Sequence, residues 1–84
     1  VSLNGEVMEA DAARIAPDDR GFTLGDGLFE TIAVKKSAPK RLAAHLARLR
    51  ESASMLGFPV PYPDTKIATL IDDVIAANAL STAA

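Results

Sequence analysis

Arg20-Gly21-Phe22-Thr23-Leu24-Gly25-Asp26-Gly27-Leu28-Phe29-Glu30-Thr31-Ile32-Ala33-Val34 is the stretch on which the reading of this chain turns. It holds three of the five glycines, set among Phe22, Leu24 and Leu28. Glycine this dense between aromatic and aliphatic residues implies a tight, partly buried turn with backbone angles that other residues avoid. The turn is no phosphate loop of the Walker type, because no lysine follows its last glycine, and Gly25-Asp26-Gly27 lacks the third glycine of a dinucleotide fingerprint. At Phe29 the pattern becomes that of a strand. A period of two puts Phe29, Thr31 and Ala33 on one face and Glu30, Ile32 and Val34 on the other. Lys35-Lys36-Ser37 ends it.

On the N-terminal side, Asn4-Gly5 between two short runs predicts a tight β-hairpin, since a type I′ turn needs positive φ at both central positions. Arg14-Ile15 reads as a short strand that Pro17 breaks. On the C-terminal side the period changes after Pro39. Leu42, Leu46, Leu49, Ala53 and Leu56 form one stripe of an amphipathic helix, which Gly57 ends. Pro59, Pro61 and Pro63 give an extended linker. Asp64 is read as the N-cap of a second helix, whose Ile67, Leu70, Ile71 and Val74 form a second stripe running towards Asn78. The sum is an α+β fold, an antiparallel sheet with two helices packed on one face. A further strand is expected after the second helix, where Leu80-Ser81-Thr82-Ala83-Ala84 reads as no closing element, so the sheet is expected to be incomplete. With Val1 in place of an initiator methionine, residues 1–84 are read as a truncated domain of a longer protein.

Composition narrows the function. The chain has 84 residues, a formal net charge of -2, 24% charged residues and no cysteine. Disulfides and cysteine-bearing zinc sites are excluded, and one histidine does not make a metal site. Interspersed charges of both signs give no basic footprint for nucleic acid. No apolar run approaches the roughly 20 residues that span a bilayer, and no signal peptide is evident, so a cytoplasmic protein without membrane contact is expected.

Candidate chemistry centres on the first helix. Arg41, His45, Arg48 and Ser52 fall to one side of its apolar stripe, displaced by roughly 60 to 120°. From that border an arginine can lay its methylenes on the core and aim its guanidinium at a phosphate or carboxylate. It can equally be a solvated arginine paired with Glu51. Glu30, mid-strand among apolar neighbours, either points to solvent or pairs with a cation, Arg20 or Arg48. Asp18-Asp19 and Asp72-Asp73 read as solvated surface, and Lys35, Lys36, Lys40 and Lys66 lie at turns or element ends, where nothing lowers a lysine pKa. No catalytic nucleophile emerges from the residues.

The run Asp19-Arg20-Gly21-Phe22-Thr23-Leu24-Gly25-Asp26-Gly27-Leu28-Phe29-Glu30-Thr31, followed by His45-Leu46-Ala47-Arg48-Leu49, resembles the N-terminal small domain of class IV aminotransferases. These fold-type IV pyridoxal-phosphate enzymes include branched-chain and D-amino-acid aminotransferases and 4-amino-4-deoxychorismate lyases. Leu3-Asn4-Gly5 is similar to their first hairpin. The resemblance implies that Arg48 binds the phosphate of pyridoxal 5′-phosphate and that Phe29, with Leu24 and Glu30, lines the substrate pocket. It implies that Gly25-Asp26-Gly27 meets the partner of a homodimer, and that Lys40-Arg41-Leu42 finishes a strand. The implied substrates are an amino acid, a 2-oxo acid or aminodeoxychorismate.

Two departures bear on the subfamily. D-amino-acid aminotransferases carry a tyrosine at the place of Phe29, which weighs against that group, and the arginine common in branched-chain enzymes and lyases is Ala33 here. A lyase or a general class IV aminotransferase fits better. In the family the Schiff-base lysine lies in a C-terminal domain, so these residues alone are expected to hold no catalytic residue. The alternative is a free-standing, noncatalytic α+β domain that associates with itself.

Overall fold

The computed structural model describes residues 1–83, and their architecture is α+β. Strands β1 (Ser2–Leu3) and β2 (Glu6–Val7) pair antiparallel around Asn4 and Gly5, with φ of 53° and 80°. Both values are positive, as the Asn-Gly pair demands. Arg14-Ile15 forms no strand: Ala10–Ala12 make one 3-10 turn, and the Arg14 guanidinium donates to the carbonyls of Asp11 and Ala13.

The glycine-rich segment contains a short helix, α1 (Arg20–Leu24), where a turn was expected. Asp19 caps it by accepting the Gly21 N–H at 2.8 Å, and Gly25 ends it in the left-handed region at φ 71°. Those are the ordinary start and stop signals of a helix. The helical part of the segment is exposed, Phe22 by 77% and Leu24 by 63%, while Asp26 and Leu28 after it are half-buried.

Only the end of the expected strand joins a ladder. β3 (Val34–Lys35) pairs antiparallel with β4 (Ala38–Pro39), in register Val34 to Pro39 and Lys35 to Ala38. Residues 29–32 keep the alternation without ladder partners: Glu30 and Ile32 are half-buried, whereas Phe29 and Thr31 are exposed; Ala33 breaks it, being half-buried. Lys36 and Ser37 turn the hairpin at φ 51° and 60°. Pro39 lies on an edge strand, where its missing N–H costs no ladder bond. The strand ends there, so Lys40 and Arg41 form the turn into the helix and Leu42 is already helical.

Helices α2 (Leu42–Leu56) and α3 (Asp64–Ala77) form over the two predicted stripes, although Leu56 at the end of the first is 63% exposed and the buried residue of α3 is Ile75, beside the second stripe. Gly57 closes α2 at φ 76°, with the Phe58 N–H returning to the Ala53 carbonyl at 2.9 Å. Asp64 is the first helical residue of α3 and not its N-cap, a place taken by Pro63. Its carboxylate is engaged elsewhere, by Arg50.

The expected further strand is present within the chain. β5 (Thr82–Ala83) pairs antiparallel with β3, giving a three-stranded sheet in the order β4-β3-β5, separate from the β1-β2 hairpin. Helix α3 packs against β2 and β4. Among the described residues the buried apolar ones are Val34, Leu46, Ala53 and Ile75. With a core this thin the domain is open: its radius of gyration is 13.7 Å, against about 12 Å for a compact chain of this length.

Candidate functional site

Arg41, Ala44, His45 and Arg48 follow one another at helical spacing and line a cavity of about 190 Å³ at the start of α2. Arg41 stands just before the first turn in the left-handed region, at φ 56°. The other three project from the flank beside the buried Leu46.

Across from this flank stands Glu30. Its Oε1 accepts the Arg48 Nε–H at 2.7 Å, and its Oε2 accepts from Arg48 Nη2 at 2.6 Å. Two parallel bonds to one guanidinium form the strongest geometry available to this pair of side chains. His45 Nδ1 lies 2.7 Å from the same Oε2. These bonds, Arg48 first and His45 second, hold the Glu30 carboxyl well below the usual carboxylate range, at about 2, and the carboxylate raises the pKa of Arg48 in return. An ionised carboxylate only accepts, so the proton in the His45 contact sits on Nδ1. The Glu30 side chain is 13% exposed and that of Arg48 65%. The carboxylate is thus enclosed while the guanidinium remains open to the cavity. Arg48 Nη1 makes no hydrogen bond among the described residues.

The residues singled out from sequence therefore separate. Arg48, His45 and Glu30 meet, and the partner of Glu30 is Arg48, not Arg20, which pairs with Asp26 at 2.7 Å. Phe29 is 89% exposed and lies on the other side of its segment from Glu30; Leu24 projects from α1, also exposed. Gly25, Asp26 and Gly27 border a surface depression with Leu56, Gly57 and Phe58 at the end of α2. The β-carbon that another residue would add at Gly25 or Gly27 meets open space. Sequence reasoning missed the tie between Glu30 and His45. The available signal was His45 three positions before Arg48 on the flank already suspected of facing the strand. Among the described residues no cluster of histidine and carboxylates could hold a metal ion, and no helix is long and apolar enough to cross a membrane.

Residues 27–84 match the family model described as amino-transferase class IV. The chain is 28% identical over 78 residues to a D-alanine aminotransferase of Bacillus licheniformis, covering 93% of this chain and 28% of that protein. It is 29% identical to a D-alanine aminotransferase of Staphylococcus aureus over 84 residues, 100% of this chain and 30% of that one. A bifunctional aminodeoxychorismate lyase / D-amino acid transaminase of Mycobacterium tuberculosis is 36% identical over 61 residues, 73% of this chain and 21% of its own length. These names do not follow the subfamily reading drawn from Phe29, since both D-amino-acid and lyase relatives occur. The chain spans less than a third of the length of the curated relatives it matches. The family match covers the strand and both long helices, and on it the chain belongs to the class IV amino-transferase family.

Proposed function

We propose that this chain is the small domain of a pyridoxal-phosphate-dependent class IV aminotransferase or aminodeoxychorismate lyase, and that Arg48 anchors the cofactor phosphate. The observation carrying this reading is the cavity itself. Arg41, His45 and Arg48 converge on it, and Arg48 is held by Glu30 along one edge while the rest of its guanidinium stays open. Guanidinium and imidazole donors around an open cavity fit a phosphate group.

When bound, the cofactor supplies the electron sink that such reactions need at the substrate α-carbon. Arg48 would fix the phosphate end and so the alignment of the reacting end. Phe29 and Leu24, exposed here, would form the apolar wall on the substrate side, and Gly25-Asp26-Gly27 would meet the second subunit of a homodimer. The substrates would be an amino acid and a 2-oxo acid, or aminodeoxychorismate. The lysine that binds the cofactor covalently would come from the part of the protein outside these residues.

Arg48→Ala in the full-length protein tests the reading. Apo-protein titrated with pyridoxal phosphate and followed by absorbance is expected to bind about tenfold or more weakly, since a charge-assisted contact is lost. Unchanged affinity would refute the assignment.

A further inference from the structure

Glu30 presents a problem of sign. A carboxylate beside an anion-binding arginine repels the anion, so on charge alone its removal should tighten phosphate binding. Geometry argues the other way. An isolated arginine on a helix flank has many rotamers and loses that freedom when it binds. Here Glu30 grips Nε and Nη2 at 2.7 and 2.6 Å and, through the same Oε2, holds His45 Nδ1 at 2.7 Å. It is itself enclosed, whereas Arg48 is mostly exposed. The grip takes one edge of the guanidinium and leaves the Nη1 edge unused. With Nδ1 bonded to Glu30, the remaining ring nitrogen of His45 is the one left for another partner.

Resting on the reading of Arg48 as the phosphate anchor, we infer that Glu30 is its positioning residue. It sets the guanidinium before the cofactor arrives, and this ordering outweighs the repulsion. The exposure of Arg48 favours this balance, because solvent screens the repulsion between Glu30 and the phosphate. It does not screen the rotamer loss that an unheld arginine would suffer.

The test is a double-mutant cycle in the full-length apo-protein with Glu30→Gln, Arg48→Ala and the double variant. Affinity for pyridoxal phosphate is measured by fluorescence titration, and the 31P resonance of the bound cofactor is recorded. Glu30→Gln keeps the shape and one acceptor but loses the charged two-point grip. It is expected to weaken binding about two- to tenfold, the cost of ordering one long side chain, and to move the 31P resonance towards that of free cofactor. In the Arg48→Ala background the same substitution should change affinity little, because Glu30 acts through Arg48. Unchanged or tighter binding by Glu30→Gln, or an equal loss with and without Arg48, overturns the proposal while leaving the anchor in place. Unchanged affinity in Arg48→Ala alone overturns the anchor, and this inference with it. If Glu30→Gln does not fold, Glu30→Asp decides: it keeps the charge but is too short for both bonds, and full affinity in that variant would overturn the positioning role.

Discussion

Tyr62 closes over Gly5: its hydroxyl lies 2.8 Å from the place a β-carbon on Gly5 would occupy, and φ at Gly5 is 80°. The linker before α3 thereby rests on the turn of the first hairpin. Gly5→Ala meets two costs, a left-handed backbone worth about 1–2 kcal/mol for a residue with a β-carbon and a shift of the tyrosine ring. A loss of about 2 kcal/mol or more is expected in urea denaturation of the intact protein, smaller for Gly5→Asn, which tolerates this conformation.

Glu30 makes stability dependent on acid. Its carboxyl lies near 2 in the folded protein against an ordinary value of 4.5. A carboxylate lowered on folding contributes stability that is whole above the ordinary value and lost as pH falls through the folded one. Denaturation midpoints should therefore decline between about pH 4.5 and pH 2. In Glu30→Gln this part of the decline should be missing, and an identical acid limb in both proteins would contradict the ion pair.

Arg50 joins the two long helices across the proline linker, donating through Nε to Asp64 Oδ1 and through Nη2 to the Tyr62 carbonyl at 2.6 Å. Lysine has the charge but not the fork that reaches both acceptors. Arg50→Ala should cost about 1 kcal/mol. Arg50→Lys should recover only the salt-sensitive part, visible as a gain over Arg50→Ala at low ionic strength that disappears at high ionic strength.

Lys36 and Ser37 occupy the two positive-φ places of the β3-β4 turn without being suited to them. Replacing the pair by Asn-Gly is expected to stabilise the protein by about 0.5–1 kcal/mol. Thermal melting of Lys36→Asn with Ser37→Gly would measure it; a lowered midpoint would mean that the turn is not of this type.

What the sequence disclosed was whatever is decided locally. Asn4-Gly5, the stripe through Leu46 and Ala53, and Gly57 as a stop each act within a few residues, and each is found in place. The short helix at Arg20–Leu24 is masked in the sequence by its glycines, and its one local signal is the Asp19 cap. The Thr82–Ala83 strand escaped for a different reason: neither residue announces a strand strongly, and only pairing with Val34 and Lys35, distant in sequence, makes it one. At the site, Arg48 was recognisable as a border arginine and as one candidate partner for Glu30. That His45 shares the same carboxylate oxygen required the approach of two segments in space.

The order β4-β3-β5 also sets a sequence of events in time. Val34 and Lys35 meet one neighbour across the next turn and the other only after two helices have been made. At ribosomal speeds of about 5–20 residues per second, the β3-β4 hairpin can close while the far side of β3 waits several seconds for its second partner. During that wait β3 is an open edge, the kind of surface on which nascent chains join one another. Lys35 and Lys36, at the end of that edge, put positive charge where such joining would begin. Two lysines without any evident chemistry thus place like charges where two such edges would meet.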